Sequence, residues 1–416
     1  MSIEPELAPE SPADGIAALP EYPVLFLRRG EDDRLRQGHL WVYSNEVDSA
    51  RSPLSAFAPG EIAAISDAGG RVIGLGYVNP QALICARLLE RGARHPIGRS
   101  LIVHRLQVAL ALRERLYPEP FYRLVFGEAD GLPGLVLDRF DDVIVGQIGT
   151  LGMEQLKADV VEAVVKVLKP RTMVWKNRGS VRALEGLPEY FETAVGTLDA
   201  RSRVVEAGVE FRIDIENGQK TGWFFDQRDN RAWLKRLVPG RRVLDVFSYA
   251  GAWGVASAVQ GAREVHCIDS SAAALAVVTD AAERNGVAER VHTQQADAFE
   301  ALKALRETRQ RFDVAIVDPP AFIKKRKDMN EGRIAYQRIF TAAMQVLERD
   351  GILIACSCSH HLPRAALLEI INRAARHLDR SVQVLAQLQQ GADHPLHPAI
   401  PETEYLKGFV CRVLPA

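Results

Sequence analysis

The chain has 416 residues, room for two or three domains with a large core, and its 47% hydrophobic and 25% charged residues are ordinary for a globular protein. Its formal net charge of -1 excludes a strong overall attraction to nucleic acid, so any basic footprint must be local. Five scattered cysteines predict reduced thiols in a cytosolic protein, and no apolar run approaches the ~20 residues that a membrane span needs.

The N-terminal part of the chain is predicted to be a tail followed by a small β-barrel. Residues 1–21 are rich in Pro, Glu and Ala with little apolar periodicity, which predicts a disordered tail. Residues 22–100 contain short strand-like runs separated by Gly and Pro turns, a pattern typical of a small barrel. The predicted strands are 24–27, 40–43, 61–65, 72–78 and 84–89.

Residues 101–205 are predicted to form a small central α+β domain, and a helix at 99–117 joins it to the barrel. A turn with the sequence G-E-A-D-G-L-P-G separates its first two strands. The predicted strands are 122–126, 135–138, 143–148 and 172–175, and a second helix is predicted at 153–168.

Residues 206–416 are predicted to form an α/β domain with a Rossmann-like, seven-stranded sheet. They begin with a hairpin of strands 211–215 and 221–225, whose turn dipeptide is Asn217-Gly218, followed by a helix at 227–237. Strands and helices then alternate, which is typical of a parallel sheet, but the last strand follows too closely for a helical crossover and should insert antiparallel. The predicted strands are 243–247, 264–268, 291–295, 314–317, 352–358, 382–388 and 408–414, and the helices are 272–285, 299–309, 333–347 and 363–378.

The first strand of this alternating half ends in a tight turn with the sequence F-S-Y-A-G-A-W-G (247–254). Open α/β sheets bind ligands at the carboxyl ends of their strands, where such turns lie. A phosphate cradle usually carries three spaced glycines, whereas this turn has only Gly251 and Gly254. The turn therefore favours a ligand without pyrophosphate, such as S-adenosylmethionine.

Acidic residues recur at the strand ends of this half, beginning with Asp245 inside the first strand. Asp269 ends the second strand, where a carboxylate would hold ribose hydroxyls. Asp297 follows the third strand and could bond an adenine amino group, although a helix N-cap is the simpler interpretation of Asp297 alone. Asp318 ends the fourth strand, and together the four acidic residues favour a nucleoside site.

The sequence V-D-P-P-A-F (317–322) predicts a rigid wall beside this site. Pro319 and Pro320 end the strand because proline fixes its φ and cannot donate to a ladder, and Phe322 could stack on a planar base. Lys324 and Lys325 begin a run of four basic residues, which is either a solvated loop or a phosphate contact; we favour the phosphate contact. The barrel arginines at 87, 91 and 94 are further candidates for phosphate contacts.

Cys356, Cys358 and His360 fall on one face of a predicted strand by its period of two. Three interpretations compete: core packing, a metal site, and a nucleophile at the strand end. No second pair of cysteines supports zinc. A nucleophile would suit methylation of cytosine at C5, because a thiolate that adds to C6 makes C5 nucleophilic. Cys358 lies nearer the strand end than Cys356 and is the better candidate.

Several long motifs resemble those of the bacterial 23S ribosomal RNA cytosine-C5 methyltransferases of the large-subunit methyltransferase I type. The resemblance covers the chain from about residue 24 to 414. It rests on G-E-A-D-G-L-P-G-L-V-L-D-R-F (127–140), G-Q-K-T-G-W-F-F-D-Q-R-D-N-R (218–231), F-S-Y-A-G-A-W (247–253), V-D-P-P-A-F (317–322), C-S-C-S (356–359) and D-H-P…Y-L-K-G-F-V-C-R-V (393–413).

The resemblance implies a PUA domain, a central α+β domain and a class I methyltransferase domain that uses S-adenosylmethionine. Cys358 would be the nucleophile, with Asp318 beside the base. The residues implied to hold the cofactor are Phe247, Ser248, Tyr249, Gly251, Asp269 and Asp297, with Lys220, Thr221 and Arg228 in a stretch that closes over it. The sequence departs from the family pattern at His360, Cys356 and Trp223-Phe224.

The implied activity is methylation of a cytosine in 23S ribosomal RNA in the cytoplasm. No membrane partner is expected, and a homodimer is compatible with the resemblance. Two alternatives remain. One is an RNA methyltransferase acting on a guanine nitrogen, which would need no thiol at Cys358. The other is a non-catalytic RNA-binding factor of ribosome assembly, against which the intact acidic strand ends argue.

Overall fold

The computed structural model describes residues 21–199 and 202–416, so the predicted tail lies almost entirely outside the described residues. A first sheet has five strands in the order β1-β3-β4-β5-β2, and only the β1–β3 pair is parallel. All five predicted strands are present. Their bounds are β1 Val24–Phe26, β2 Trp41–Tyr43, β3 Ile62–Ser66, β4 Val72–Val78 and β5 Ile84–Arg91, and a short helix α1 spans Asp33–Arg36.

A second sheet has five strands in the order β10-β9-β8-β7-β6. The predicted helix at 153–168 is divided at Leu156, and strand β10 was not predicted. The strands are β6 Phe121–Phe126, β7 Leu135–Phe140, β8 Val143–Ile148, β9 Thr172–Asn177 and β10 Tyr190–Val195. The helices are α2 Arg99–Leu116, α3 Leu151–Gln155, α4 Lys157–Leu168 and α5 Ser180–Leu184.

The predicted hairpin at 211–215 and 221–225 is wrong. The hairpin is formed instead by β11 Ser202–Glu206 and β12 Val209–Ile213, and its turn residues Ala207 and Gly208 have φ of +52° and +78°. Asn217 does not lie in the turn of a hairpin. Its backbone and side-chain amides instead donate to the Asp214 carboxylate, at 2.9 Å each. Residues 217–224 are irregular. The predicted helix at 227–237 is broken into α6 Arg228–Arg231 and α7 Leu234–Leu237.

The third large sheet has seven strands in the order β15-β14-β13-β16-β17-β19-β18, and β19 is antiparallel to both of its neighbours as predicted. The strand order reverses between β13 and β16, where open α/β sheets bind their ligands. The strands are β13 Arg242–Val246, β14 Glu264–Asp269, β15 Val291–Gln295, β16 Phe312–Val317, β17 Leu347–Ser357, β18 Arg380–Gln389 and β19 Lys407–Pro415. The helices are α8 Ala252–Val259, α9 Ala272–Arg284, α10 Ala298–Glu307, α11 Met329–Gln345 and α12 Arg364–Arg376.

The two faces of this sheet bury separate apolar clusters, as the alternation of side chains along a strand requires. Val243 and Val265 pack on one face with α8 and α9, and Leu244 and Ile268 pack on the other face with α10 and α11. The first cluster also contains residues of the second sheet, such as Phe121. The second sheet and the seven-stranded sheet therefore share one core. Among the described residues, no helix is long and apolar enough to cross a membrane.

Candidate active site

The loop after β13 has an unusual backbone. Phe247 and Tyr249 have φ of +65° and +47°, and Gly251 has φ of +77°. Positive φ is costly for residues other than glycine and is concentrated in ligand-binding loops. A Cβ at Gly254 would lie 2.3 Å from the Cys267 sulfur, so this glycine lets α8 approach β14. The two glycines therefore serve the shape of the loop and the packing of the helix that follows it.

Asp269 connects this loop to the end of β14. One carboxylate oxygen accepts a hydrogen bond from the Tyr249 amide at 2.8 Å, and the other accepts one from the Ser271 amide at 2.9 Å. The hydroxyl of Ser248 is buried and has no hydrogen-bond partner among the described residues. A half-buried carboxylate at the end of the second strand and a loop without a phosphate cradle fit the nucleoside of S-adenosylmethionine.

Residues 217–224 form a strap over this loop. The Gln219 amide donates to the Tyr249 hydroxyl at 3.0 Å, and that hydroxyl donates to the Gly222 carbonyl at 3.3 Å. Thr221 is buried and its hydroxyl donates to the Asp138 carboxylate at 2.6 Å, which ties the strap to the second sheet. The strap is thus held at both sides of the site.

Two of the predicted cofactor residues have their hydrogen-bond partners outside this loop. Arg228 donates to the Phe121 carbonyl and lies 4.6 Å from the centre of the Tyr117 ring, toward the second sheet. Asp297 is exposed and caps α10, because one of its oxygens accepts from the amides of Phe299 and Glu300 at 2.9 and 3.2 Å. Their roles toward the cofactor stay predictions.

Asp318 lies at the end of β16, held by side chains from two other elements. Its Oδ2 atom accepts a hydrogen bond from Gln227 Nε2 at 3.0 Å and one from Trp253 Nε1 at 3.3 Å. Burial and the neighbouring Asp226 carboxylate raise the pKa of Asp318 to about 6. Asp318 is therefore a carboxylate that can exchange a proton near neutral pH.

Cys358 directly follows β17 and faces the end of β16. Its Sγ atom lies 3.9 Å from the Pro319 carbonyl oxygen. Burial raises the pKa of the Cys358 thiol to about 11; the Lys220 ammonium lowers this pKa, whereas Asp318 raises it. The structure thus brings Cys358, Asp318 and Lys220 together. The lowered thiol pKa that a free thiolate requires is not present.

The expected common face of Cys356, Cys358 and His360 is not formed as predicted. Strand β17 ends at Ser357, so the alternation of side chains stops before His360, which is exposed in a turn. Cys356 is fully buried in the strand, and burial raises its pKa well above the usual value. Core packing therefore accounts for Cys356.

A hydrogen-bonded network fixes the backbone around Cys358. The Tyr336 hydroxyl bonds to the hydroxyls of Ser357 and Ser359 at 2.8 Å each. Lys407 Nζ donates to the Ser359 carbonyl at 2.8 Å, and Ser359 Oγ accepts from the Ile323 amide at 3.1 Å. The cysteine is thus held against the loop that follows the two prolines.

The loop that follows the two prolines lies beside the loop after β13. Pro319 is buried and Pro320 is exposed, and the Phe322 ring lies 6.3 Å from the ring of Phe247. Lys324 and Lys325 are exposed, and no ion pair of theirs occurs within the described part of the chain. Two barrel arginines are poor phosphate ligands, because those at 87 and 91 are bound to Glu185 and to backbone carbonyls, respectively.

Two site residues were missed at the sequence level. Gln227 is buried beside Asp318, and Asp226 is 4% exposed with its Oδ2 atom accepting from the Tyr405 hydroxyl at 2.5 Å. Burial raises the pKa of Asp226. The charges of Lys220 and His394 lower this pKa by more, so that it lies below its usual value. The motif at 218–231 contained both residues, although nothing in its spacing indicated their partners.

Comparisons with known proteins agree with this architecture. A family model described as S-adenosylmethionine-dependent methyltransferase matches residues 190–402, and one described as PUA-like domain matches residues 25–91. A crystal structure of a methyltransferase complexed with SAH has a TM-score of 0.80 at 19% identity and covers 94% of this chain and 100% of that chain. A SAM-dependent methyltransferase from Streptococcus mutans has a TM-score of 0.78 at 18% identity, with the same coverage of 94% and 100%.

Relatives of higher identity cover almost the whole chain. A protein of Erwinia tasmaniensis named Ribosomal RNA large subunit methyltransferase I is 34% identical over 398 residues, which are 94% of this chain and 99% of that protein. A protein of the same name from Aliivibrio fischeri is 35% identical over 395 residues, with coverage of 94% and 99%. The chain therefore belongs to the family of S-adenosylmethionine-dependent methyltransferases that includes ribosomal RNA large subunit methyltransferase I.

Proposed function

We propose that the protein methylates C5 of a cytosine in large-subunit ribosomal RNA, with Cys358 as a covalent nucleophile. The observation that carries this proposal is the position of Cys358, whose sulfur lies 3.9 Å from the carbonyl of Pro319, directly after Asp318. Methylation of a base nitrogen or exocyclic amine needs no thiol, because the nitrogen lone pair attacks directly. A cysteine held beside the D-P-P strand end therefore favours carbon methylation.

The substrate class comes from the relatives and from the charge of the site. The two relatives described above are named for large-subunit ribosomal RNA. The exposed Lys324 and Lys325 lie on the loop that follows the wall of the site, where a phosphate backbone would pass. The planar wall of Pro320 and Phe322 suits a base that has left its stack.

The raised pKa of the thiol requires a base for its proton. In the proposed reaction the ionised Asp318 accepts the thiol proton and passes it to N3 of the cytosine, as the sulfur–C6 bond forms. Lys220 favours the thiolate because its ammonium lowers the pKa of Cys358. Bound S-adenosylmethionine would supply an electrophilic methyl group for C5 and would keep the electrons of the broken sulfur–methyl bond. A water molecule then accepts the C5 proton, the electrons of the C5–H bond re-form the C5–C6 double bond, and the sulfur leaves C6 as a thiolate. The N3 proton returns through Asp318 to this sulfur, so the thiol is regenerated.

Bisulfite sequencing of large-subunit ribosomal RNA tests this function. RNA from a deletion strain should lack one protected cytosine, and wild-type protein should restore it. Cys358→Ala should fail to restore it, whereas the matched variant Cys356→Ala should succeed, since Cys356 lies buried within β17. If the deletion strain keeps every protected cytosine but loses a methylated guanine, the protein is a nitrogen methyltransferase and the proposal is wrong.

A further inference from the structure

The two oxygens of the Asp318 carboxylate have different surroundings. Oδ2 accepts two hydrogen bonds, from Gln227 Nε2 at 3.0 Å and from Trp253 Nε1 at 3.3 Å. Oδ1 accepts no hydrogen bond from any residue within 21–199 and 202–416, and this oxygen is not fully buried. One oxygen is therefore occupied by the protein, and the other remains available to a ligand.

The orientation of the Gln227 amide is determined by a chain of hydrogen bonds that starts in β18. Asn230 Nδ2 donates to the Gln389 carbonyl at 2.8 Å, and Asn230 Oδ1 accepts from the Gln389 amide at 3.3 Å. These backbone partners leave only one assignment of oxygen and nitrogen for Asn230. Asn230 Nδ2 also donates to Gln227 Oε1 at 2.6 Å, so the Gln227 amino group must face Asp318.

We propose that Gln227, oriented by Asn230, is a positioning residue that binds Oδ2 of Asp318 and thereby presents Oδ1 to the target base. The proposal rests on the proposed function and assigns a task to a residue that does not itself meet the base. A carboxylate free to rotate would offer either oxygen, and its donors would compete with the base. With Oδ2 occupied by two donors, a proton taken up from the thiol resides on Oδ1 and is transferred from there.

Gln227 also favours the ionised form of Asp318, in opposition to burial and the Asp226 carboxylate, which raise the pKa of Asp318. A hydrogen bond to the ionised form lowers the pKa of a carboxyl, so that loss of the Gln227 donor should raise the pKa of Asp318. The charged and titratable groups around Asp318 are Asp226, Asp245, Arg231, Cys356 and Cys358. None of these is altered in the variants below.

The test is the pH profile of methyl transfer to RNA by the full chain. Gln227→Met removes the donor, and Gln227→Glu puts a carboxylate against Asp318 in nearly the same volume. Because a hydrogen bond to a charged group is worth about one to two pKa units, the acid limb of kcat should move up by that amount in Gln227→Met and further in Gln227→Glu. The KM for S-adenosylmethionine should stay unchanged in both variants.

Gln390→Met is the matched control. Gln390 is also buried. Among the described residues its Nε2 atom donates to the backbone carbonyls of His394 and Thr403, at 2.9 Å each, and its Oε1 atom accepts from the Tyr405 amide at 3.2 Å. The control should lose stability without moving the acid limb. Asn230→Asp replaces a donor by an acceptor, so the Gln227 amide should turn its oxygen toward Asp318. This variant should therefore shift the acid limb in the same direction as Gln227→Glu.

Two outcomes would overturn the inference, and they are distinguishable. Wild-type protein is first incubated with S-adenosylmethionine and RNA that contains 5-fluorocytidine; if no covalent complex with Cys358 forms, the proposed function fails and the inference falls with it. If the complex forms, but both Gln227 variants bind S-adenosylhomocysteine normally and keep the wild-type acid limb, the positioning role alone is wrong. A shift in the Gln227 variants that Gln390→Met does not share supports the role.

Discussion

Asp245 should make the folded protein less stable as the pH rises. This carboxyl lies inside β13 and is fully buried, and neither of its oxygens has a hydrogen-bond partner among the described residues. Burial and the neighbouring Asp318 carboxylate raise the pKa of Asp245 to about 8, against about 4 in an unfolded chain. Between these values the folded state holds a proton that the unfolded state releases. Stability therefore falls as the pH rises from about 4 to about 8.

The magnitude follows from this difference in pKa. At pH 7 the unfolded carboxyl is ionised three pH units above its pKa, which corresponds to a destabilisation of the order of 4 kcal/mol. Asp245→Asn removes the titration and keeps the shape. Its free energy of unfolding is measured in urea by tryptophan fluorescence. The difference in this free energy between Asp245→Asn and the wild type should increase by about 1.4 kcal/mol per pH unit between pH 5 and 7.

Asp350→Asn is the control for Asp245→Asn. The ion pair with Arg412 lowers the pKa of the exposed Asp350, so its contribution to stability is present above its unfolded pKa and is lost as the pH falls. Asp350 titrates below pH 5, so the curve of Asp350→Asn should run parallel to that of the wild type from pH 5 to 8. Parallel curves for wild type and Asp245→Asn from pH 5 to 8 would refute the raised pKa of Asp245.

Three further predictions follow from the site. Asp269→Ala removes the carboxylate that accepts from the Tyr249 and Ser271 amides. The variant should bind S-adenosylhomocysteine about 1–3 kcal/mol more weakly in calorimetry, and an unchanged affinity would mean that Asp269 does not belong to the cofactor site. Replacing Lys324 and Lys325 by Ala should flatten the salt dependence of RNA binding by about 0.7 per lost phosphate contact, and an unaltered slope would mean a merely solvated loop. Lys220→Met should slow formation of the Cys358 adduct with 5-fluorocytidine RNA, since the ammonium lowers the pKa of the thiol, and an equal rate would exclude this electrostatic role.

The sheet could be predicted from the sequence because its signals are local. Apolar strands that alternate with helices predicted the seven strands, and the short connection before β19 predicted its antiparallel insertion. The prediction of a hairpin at 211–225 was wrong because Asn217-Gly218 is a turn signal whether or not paired strands flank it. In the structure the Asp214 carboxylate closes this turn, and no pair of strands does. His360 was misplaced because alternation does not reveal where a strand ends.

The partners of the site residues could not be predicted, because they are distant in the chain. Gln227 and Trp253 reach Asp318 from residues 91 and 65 positions away, and Thr221 bonds Asp138 in another sheet. The sequence identified Cys358 and Asp318 as candidates through their positions at strand ends. Their protonation depends on burial and on Lys220 and Asp226, which only the folded chain brings beside them.

The most direct test of covalent catalysis by Cys358 is the reaction of the protein with RNA that contains 5-fluorocytidine and with S-adenosylmethionine. Fluorine cannot leave C5 as a proton does, so the sulfur–C6 bond should persist as a complex stable in denaturant. Mass spectrometry should place the adduct on Cys358, with Cys356→Ala reacting like wild type and Cys358→Ala forming none. Full methyl transfer to unmodified RNA by the Cys356→Ala, Cys358→Ala double variant would contradict the account.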